Sequence, residues 1–118
     1  MAARETQRPG TALYAEGDPT DIRPEFDDAL AMFRAAVRRA PQRPAIHYFD
    51  ATITYAELDA LSAALAAALV DQGLDRGDRV ALFLQNVPQF VIAELATWKA
   101  GGIVVSINPM NRERELAL

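Results

Sequence analysis

Apolar residues first fall into a regular period at Phe26, Leu30, Phe33 and Val37, a spacing that lays one stripe along a helix. Asp27 and Asp28 stand at its start and Arg34, Arg38 and Arg39 towards its end, placements that complement the helix dipole, and Pro41 stops it. Ala45-Ile46-His47-Tyr48-Phe49 and Thr52-Ile53-Thr54-Tyr55 are β-branched and aromatic runs flanking Asp50-Ala51, which predicts a hairpin pivoting on that pair. Thr54-Tyr55-Ala56-Glu57 fits a capping box, in which the threonine hydroxyl accepts a first-turn amide N–H and the glutamate reaches back to the cap. Leu58, Leu61, Leu65 and Leu69 then form a helical stripe down to Gln72, and Gly73 is placed to close that helix in the left-handed conformation.

Beyond Gly77-Asp78 the period disappears. Val80 to Leu84 is continuously apolar, as expected of a strand buried on both faces. A helix from about Pro88 to Ala100 follows, with Phe90, Val91, Leu95 and Trp98 on its packing side and Gly101-Gly102 as its stop. Ile103 to Ile107 is a second buried strand, and Asn108-Pro109 ends it. Strand, helix and strand in this order predict a right-handed βαβ unit with parallel strands. A further helix begins at Arg112. The expected fold is therefore α/β: a leading helix, a short β-hairpin, a helix, and a parallel βαβ unit that stops at the start of the next helix. A domain rarely closes on an unfinished βα repeat, so residues 26–118 read as a partial domain. Residues 1–25 are polar, lack any period and are punctuated by Pro9, Gly10, Gly17 and Pro19; they read as a flexible N-terminal arm.

Charge and composition narrow the partners. With a net charge of −4 and a pI near 4.9, the 118-residue chain lacks the cationic balance that nucleic-acid binding needs. It has no cysteine, which excludes a disulfide framework, a thiolate metal site and a cysteine nucleophile, and fits a reducing cytoplasm. Met1 to Gln7 has no apolar run behind its charges and so is no secretory signal. The most apolar long window, Val87 to Ile107, is broken by Glu94, Lys99 and Gly101-Gly102, so no transmembrane segment is expected, while peripheral membrane contact stays open.

The chemistry-bearing residues are few. Leu84 is followed by Gln85-Asn86-Val87-Pro88, without the glycines of a dinucleotide-binding turn, and no Gly-Lys-Ser/Thr loop occurs. His47, the sole histidine, has no orienting acid or nucleophile in view and reads as a half-exposed strand residue. Asp27 and Asp28 point about 100° apart on a helix and converge poorly on a metal. Lys99, the sole lysine, sits where it complements a helix dipole. Asn86 and Asn108 lie beyond the carboxyl ends of the strands, where open α/β sheets hold ligands; capping and turn formation are the preferred readings of both. Arg112-Glu113-Arg114-Glu115 is a solvated helix start. No catalytic, cofactor-binding or metal-ligating residue is assigned to this segment.

A series of short motifs carries a resemblance. Ile53-Thr54-Tyr55-Ala56-Glu57-Leu58-Asp59 resembles the Thr-Tyr-x-Glu-Leu segment near the start of adenylate-forming enzymes, and Gly73-Leu74-Asp75-Arg76-Gly77-Asp78-Arg79-Val80 follows at the family's distance. Gln85-Asn86-Val87-Pro88-Gln89-Phe90 resembles its Asn-x-Pro-x-Phe segment, Trp98-Lys99-Ala100-Gly101 its Lys-x-Gly segment, and Ile107-Asn108-Pro109 its Asn-Pro strand end. Gly102 stands where the family often has alanine, and Ser106 where proline is common. The chain thus resembles the N-terminal part of an acid–CoA ligase. His47 to Thr52 and Asn108 to Leu116 are most similar to the long-chain fatty acid–CoA ligase branch. The resemblance implies ATP, Mg²⁺ and coenzyme A as cofactors of a longer parent, a fatty acid as substrate, and the rest of the same polypeptide as partner. The family's Ser/Thr/Gly-rich phosphate loop ending in Gly-x-Pro-Lys, its ribose-binding aspartate and its C-terminal lysine are not among these residues, so the segment alone is expected to be inactive. An aryl-acid ligase, a peptide-synthetase adenylation domain, or a non-catalytic remnant or interaction module is the alternative.

Overall fold

The computed structural model describes residues 10–117. The arm assigned to residues 1–25 therefore lies partly outside the described residues. Its described part holds one 3-10 turn, Thr11–Leu13, and is almost wholly exposed.

Helix α1 (Ala29–Arg39) starts three residues later than the apolar stripe suggests. The cause is Asp28: its backbone is extended, at φ −154° and ψ 171°, and its Oδ1 accepts the Ala31 N–H at 2.6 Å. It therefore acts as the N-cap and leaves Phe26 outside the helix. Strands β1 (Pro44–Tyr48) and β2 (Ala51–Thr54) form the antiparallel hairpin. Its turn differs from the expected one. Tyr48 pairs with Ala51, so Phe49 and Asp50 make the bend, and Phe49 takes a positive φ of 51°.

Thr54 ends β2 and caps α2 (Tyr55–Asp71), and both halves of the capping box are present. Tyr55 is thus helical and not the last strand residue. Its ring lies 6.4 Å from that of Phe33. The packing face of α2 also departs from the leucine stripe. Leu58, Ser62 and Ala66 are buried, whereas Leu61 is 47% exposed. Ser62 tolerates burial because its hydroxyl donates to the Leu58 carbonyl at 2.7 Å. Gly73, at φ 97°, ends the helix with Leu74 N–H bonded to Leu69 O, a Schellman closure.

Strand β3 (Arg79–Leu82), helix α3 (Pro88–Lys99) and strand β4 (Ile103–Ser106) form the βαβ unit, and β3 pairs with β4 in parallel register, Arg79 beside Ile103 and Leu82 beside Ser106. Helix α3 packs on the sheet side that carries Val80, Leu82 and Val104. The expectation of strands buried on both faces is not met, because among the described residues no helix covers the other side. A last short helix, α4 (Glu113–Leu116), opens with the Arg112 N–H bonded to Glu115 Oε2. The core lies where α2 crosses α3, around Leu58, Ala66, Leu95 and Ala96, with Leu82 reaching it from the sheet.

Candidate functional site

The carboxyl ends of β3 and β4 are where a ligand of an open α/β sheet would sit. Phe83 and Leu84 leave β3 partly exposed, and Gln85-Asn86 leads into α3. Asn86 does not cap that helix. The N-cap is Val87, whose apolar side chain cannot accept a hydrogen bond, and Pro88 in the first helical turn removes one of the N–H groups that would otherwise lack a partner. Asn108 does form the expected turn: its Oδ1 accepts the Met110 N–H at 2.9 Å. A groove of about 250 Å³ opens between the hairpin and the start of α3, lined by Ile46, His47, Tyr48, Asn86, Pro88 and Phe90. His47 is exposed and its Nδ1 lies 3.1 Å from Thr52 Oγ1 across the hairpin. That is a cross-strand pair, without an acid to orient the ring for proton transfer.

A larger groove, of about 510 Å³, lies at the opposite end of the sheet between the start of α1 and the end of α3, lined by Asp28, Leu30, Arg76, Trp98 and Gly101. It faces the amino ends of the strands, where this class of sheet does not bind its ligand. Among the described residues no group of three or more His, Cys, Asp or Glu side chains converges on a metal position, and no helix is long and apolar enough to cross a membrane.

Among the described residues, a charged group drawn far into the interior is Lys99. Its Nζ donates to Asp59 Oδ1 at 2.6 Å and to the Asp59 carbonyl at 2.8 Å, and stands 5.6 Å from the centre of the Phe33 ring. The lysine side chain is 10% exposed and the aspartate 41%. The sequence placed Lys99 at a helix end but gave no sign of Asp59, forty residues away, as its partner. With its ammonium directed onto α2, Lys99 ties three helices together; that is a structural task. Asp28, Thr54, Glu57, Gly77, Gly101 and Asn108 likewise act as caps and turns. The motifs are thus the joints of a scaffold.

Comparison with known proteins agrees with that scaffold. Residues 33–118 match the family described as AMP-binding enzyme. The long-chain-fatty-acid–CoA ligase of Haemophilus influenzae is 41% identical over 95 residues, covering 80% of this chain and 17% of that protein. The corresponding ligase of Bacillus subtilis is 34% identical over 112 residues, covering 95% of this chain and 20% of its own length. The chain therefore spans about a fifth of the curated relatives it matches. Among solved structures, the N-terminal subdomain of Klebsiella oxytoca NpsA, in complex with 3-hydroxyanthranilyl-AMSN, superposes with a TM-score of 0.73 at 34% identity, over 75% of this chain and 23% of that one. Because the match runs unbroken from Phe33 in α1 through the hairpin, α2 and the βαβ unit, the chain belongs to the AMP-binding, adenylate-forming enzyme family.

Proposed function

We propose that this chain is the N-terminal segment of an ATP-dependent fatty acid–CoA ligase, with residues 26–118 forming part of its large domain. The observation that carries the reading is the likeness to long-chain-fatty-acid–CoA ligases of two bacteria over four-fifths or more of the chain. In the whole enzyme the fatty carboxylate attacks the α-phosphorus of ATP and expels pyrophosphate, giving an acyl-adenylate. The thiol of coenzyme A then displaces AMP and loses its proton, leaving the thioester. ATP, Mg²⁺ and coenzyme A would be held by the remaining four-fifths of the polypeptide. The segment contributes rigid βα framework, and by itself carries out neither step. Its cysteine-free composition suits the cytoplasm.

A second reading, an aryl-acid or peptide-synthetase adenylation enzyme, is favoured by the structural likeness to NpsA in complex with 3-hydroxyanthranilyl-AMSN. The test is pyrophosphate release by a polypeptide that carries this segment with the rest of the enzyme, given ATP, Mg²⁺ and coenzyme A. Release with medium or long fatty acids, and an acyl-CoA product, is expected. Release with aryl or amino acids alone would move the assignment to the second reading.

A further inference from the structure

Charge is not spread evenly along this chain. The stretch from Ala29 to Phe49 holds four of the 12 basic residues, Arg34, Arg38, Arg39 and Arg43, and none of the 16 acidic ones, so it carries +4 while the rest of the chain carries −8. All four arginines are exposed, and among the described residues none of their guanidinium groups is in an ion pair. The dipole of α1 accounts for Arg38 and Arg39, which stand in its last turn. It does not account for Arg34, which precedes that turn, or for Arg43, which lies beyond the helix. Arg34 and Arg38, one turn apart, repel each other along one flank of α1. Arg39 and Met32, two turns apart, share the other flank, and Met32 is 54% exposed. Leu30, Phe33 and Val37, all half-buried, take the side towards α2 and α3. Arg43 follows in the turn to β1, its backbone held by the Tyr55 N–H, which donates to its carbonyl at 3.1 Å. Like charges gathered without acids among them cost the fold self-repulsion, which an opposite charge brought from outside relieves.

The shape of the face selects the partner. It is a convex surface, one helix and the turn after it, and none of the four arginines lines a groove described above that could seat a peptide. A helix whose exposed side sets arginines on both flanks, with an apolar side chain among them, is the pattern that lies on a bilayer surface. The acidic remainder of the chain does not cancel the attraction, because charges further than about 8 Å from the surface are screened at physiological salt. A bilayer is also where a fatty acid concentrates, since each methylene raises its partition about fourfold. We infer that the arginine face of α1 and its following turn, formed by Met32, Arg34, Arg38, Arg39 and Arg43, docks the chain on an anionic lipid bilayer. The choice of a bilayer over other anionic surfaces rests in part on the ligase reading. Each arginine at such a surface is worth about fivefold in affinity, so four give half-binding at a lipid concentration on the order of 1 mM.

The test sediments the 118-residue chain with lipid vesicles at physiological salt. With phosphatidylcholine vesicles containing about one-third phosphatidylglycerol, half-binding is expected at lipid on the order of 1 mM. With phosphatidylcholine alone, none is expected. Salt of about 1 M, where the screening length is about 3 Å, should release the chain. The double variant Arg34→Gln/Arg43→Gln should bind about 25-fold more weakly, and Arg34→Lys/Arg43→Lys, which keeps the charge, within about twofold of the native chain. Arg76→Gln/Arg79→Gln removes two exposed arginines elsewhere and alters the net charge equally, and it too should stay within about twofold. Urea unfolding of each variant separates lost fold from lost docking. If the glutamine pair unfolds the chain, Arg43→Gln, outside the helix, is read alone, with a loss of about fivefold expected. An equal loss with Arg76→Gln/Arg79→Gln would mean that net charge acts and not this face, and overturns the inference. Equal binding to both kinds of vesicle, or binding to neither, overturns it as well. Tighter binding to a single-stranded oligonucleotide than to the anionic vesicles would assign the face to nucleic acid instead. Docking by a polypeptide that carries this segment with the rest of the enzyme, yet releases no pyrophosphate from ATP and fatty acid, leaves the face standing and counts against the ligase reading.

Discussion

At the residue scale, Gly102 shows how one departure from a family pattern is accommodated. A Cβ built there would lie 3.0 Å from Thr97 Cγ2, 3.3 Å from the Asp78 carbonyl oxygen and 3.4 Å from Leu74 Cδ2. Thr97 is fully buried, and its hydroxyl is held by the Ala93 carbonyl at 2.8 Å, so its methyl has little room to turn away. An alanine here would press on a close neighbour, which the motif alone does not reveal. Gly102→Ala is expected to cost about 1–2 kcal/mol by overpacking, and Thr97→Ser in the same chain, which removes the nearest carbon, to restore part of that loss in urea unfolding. Phe49 is the converse case. It is 91% exposed at φ 51°, in the first central position of a two-residue hairpin turn, where glycine is the usual occupant. Relief of the left-handed strain, about 1–2 kcal/mol, outweighs loss of its edge-on contact with Tyr48, 4.6 Å between ring centres. Phe49→Gly should therefore raise the melting temperature, and a lower one would show that the Tyr48 contact dominates.

At the element scale, the helix ends were legible and the helix faces less so. Caps are local: Thr54 and Glu57 need only each other, three residues apart, and the structure closes the box with Glu57 N–H to Thr54 Oγ1 at 3.2 Å and Thr54 N–H to Glu57 Oε2 at 2.8 Å. Those bonds, the backbone one foremost, hold the Glu57 carboxyl below its ordinary value. The sign follows directly. A depressed folded-state value gives stability that is present above the unfolded value, about 4.3, and is lost as pH falls through the folded one. The Glu57→Gln chain should lack this acid-side decline, which parallel unfolding curves below pH 5 measure. Thr54→Ala should cost about 1 kcal/mol at neutral pH. Faces, by contrast, depend on distant partners. The leucine stripe of α2 misplaced Leu61, and the Lys99–Asp59 tie was invisible, because both are decided by where α3 crosses α2. That tie is asymmetric. Asp59, 41% exposed, can turn to water, whereas Lys99, 10% exposed, cannot. Asp59→Ala should then cost about 2 kcal/mol by stranding a charge. Lys99→Met, which keeps a flexible apolar stem against Phe33, should cost less than about 1 kcal/mol.

At the scale of the whole molecule, element order and the parallel pairing of β3 with β4 could be read from the chain, since continuous apolar runs bounded by turn residues mark strands of a parallel sheet. What covers those strands could not, because a periodicity records that a face is apolar and not which body meets it. The site was illegible for a different reason: the recognisable motifs here are caps, turns and strand ends, and none of them presents a reacting group. The same distribution of contacts sets where the chain opens first. The α2–α3 crossing holds most of the buried residues. Segment 10–25 carries turn bonds such as Leu13 N–H to Gly10 O and Asp18 N–H to Ala15 O, with Leu13 89% and Ile22 85% exposed. Local opening of such a segment costs almost nothing, while cleavage inside α2 or α3 requires the core to separate. Brief chymotrypsin treatment should therefore cut first after Leu13 or Tyr14, leaving a stable product that keeps residues 28–107. A first cut between Val80 and Ile107 would show that the βαβ unit, with its bare sheet face, opens more readily than the segment that precedes α1.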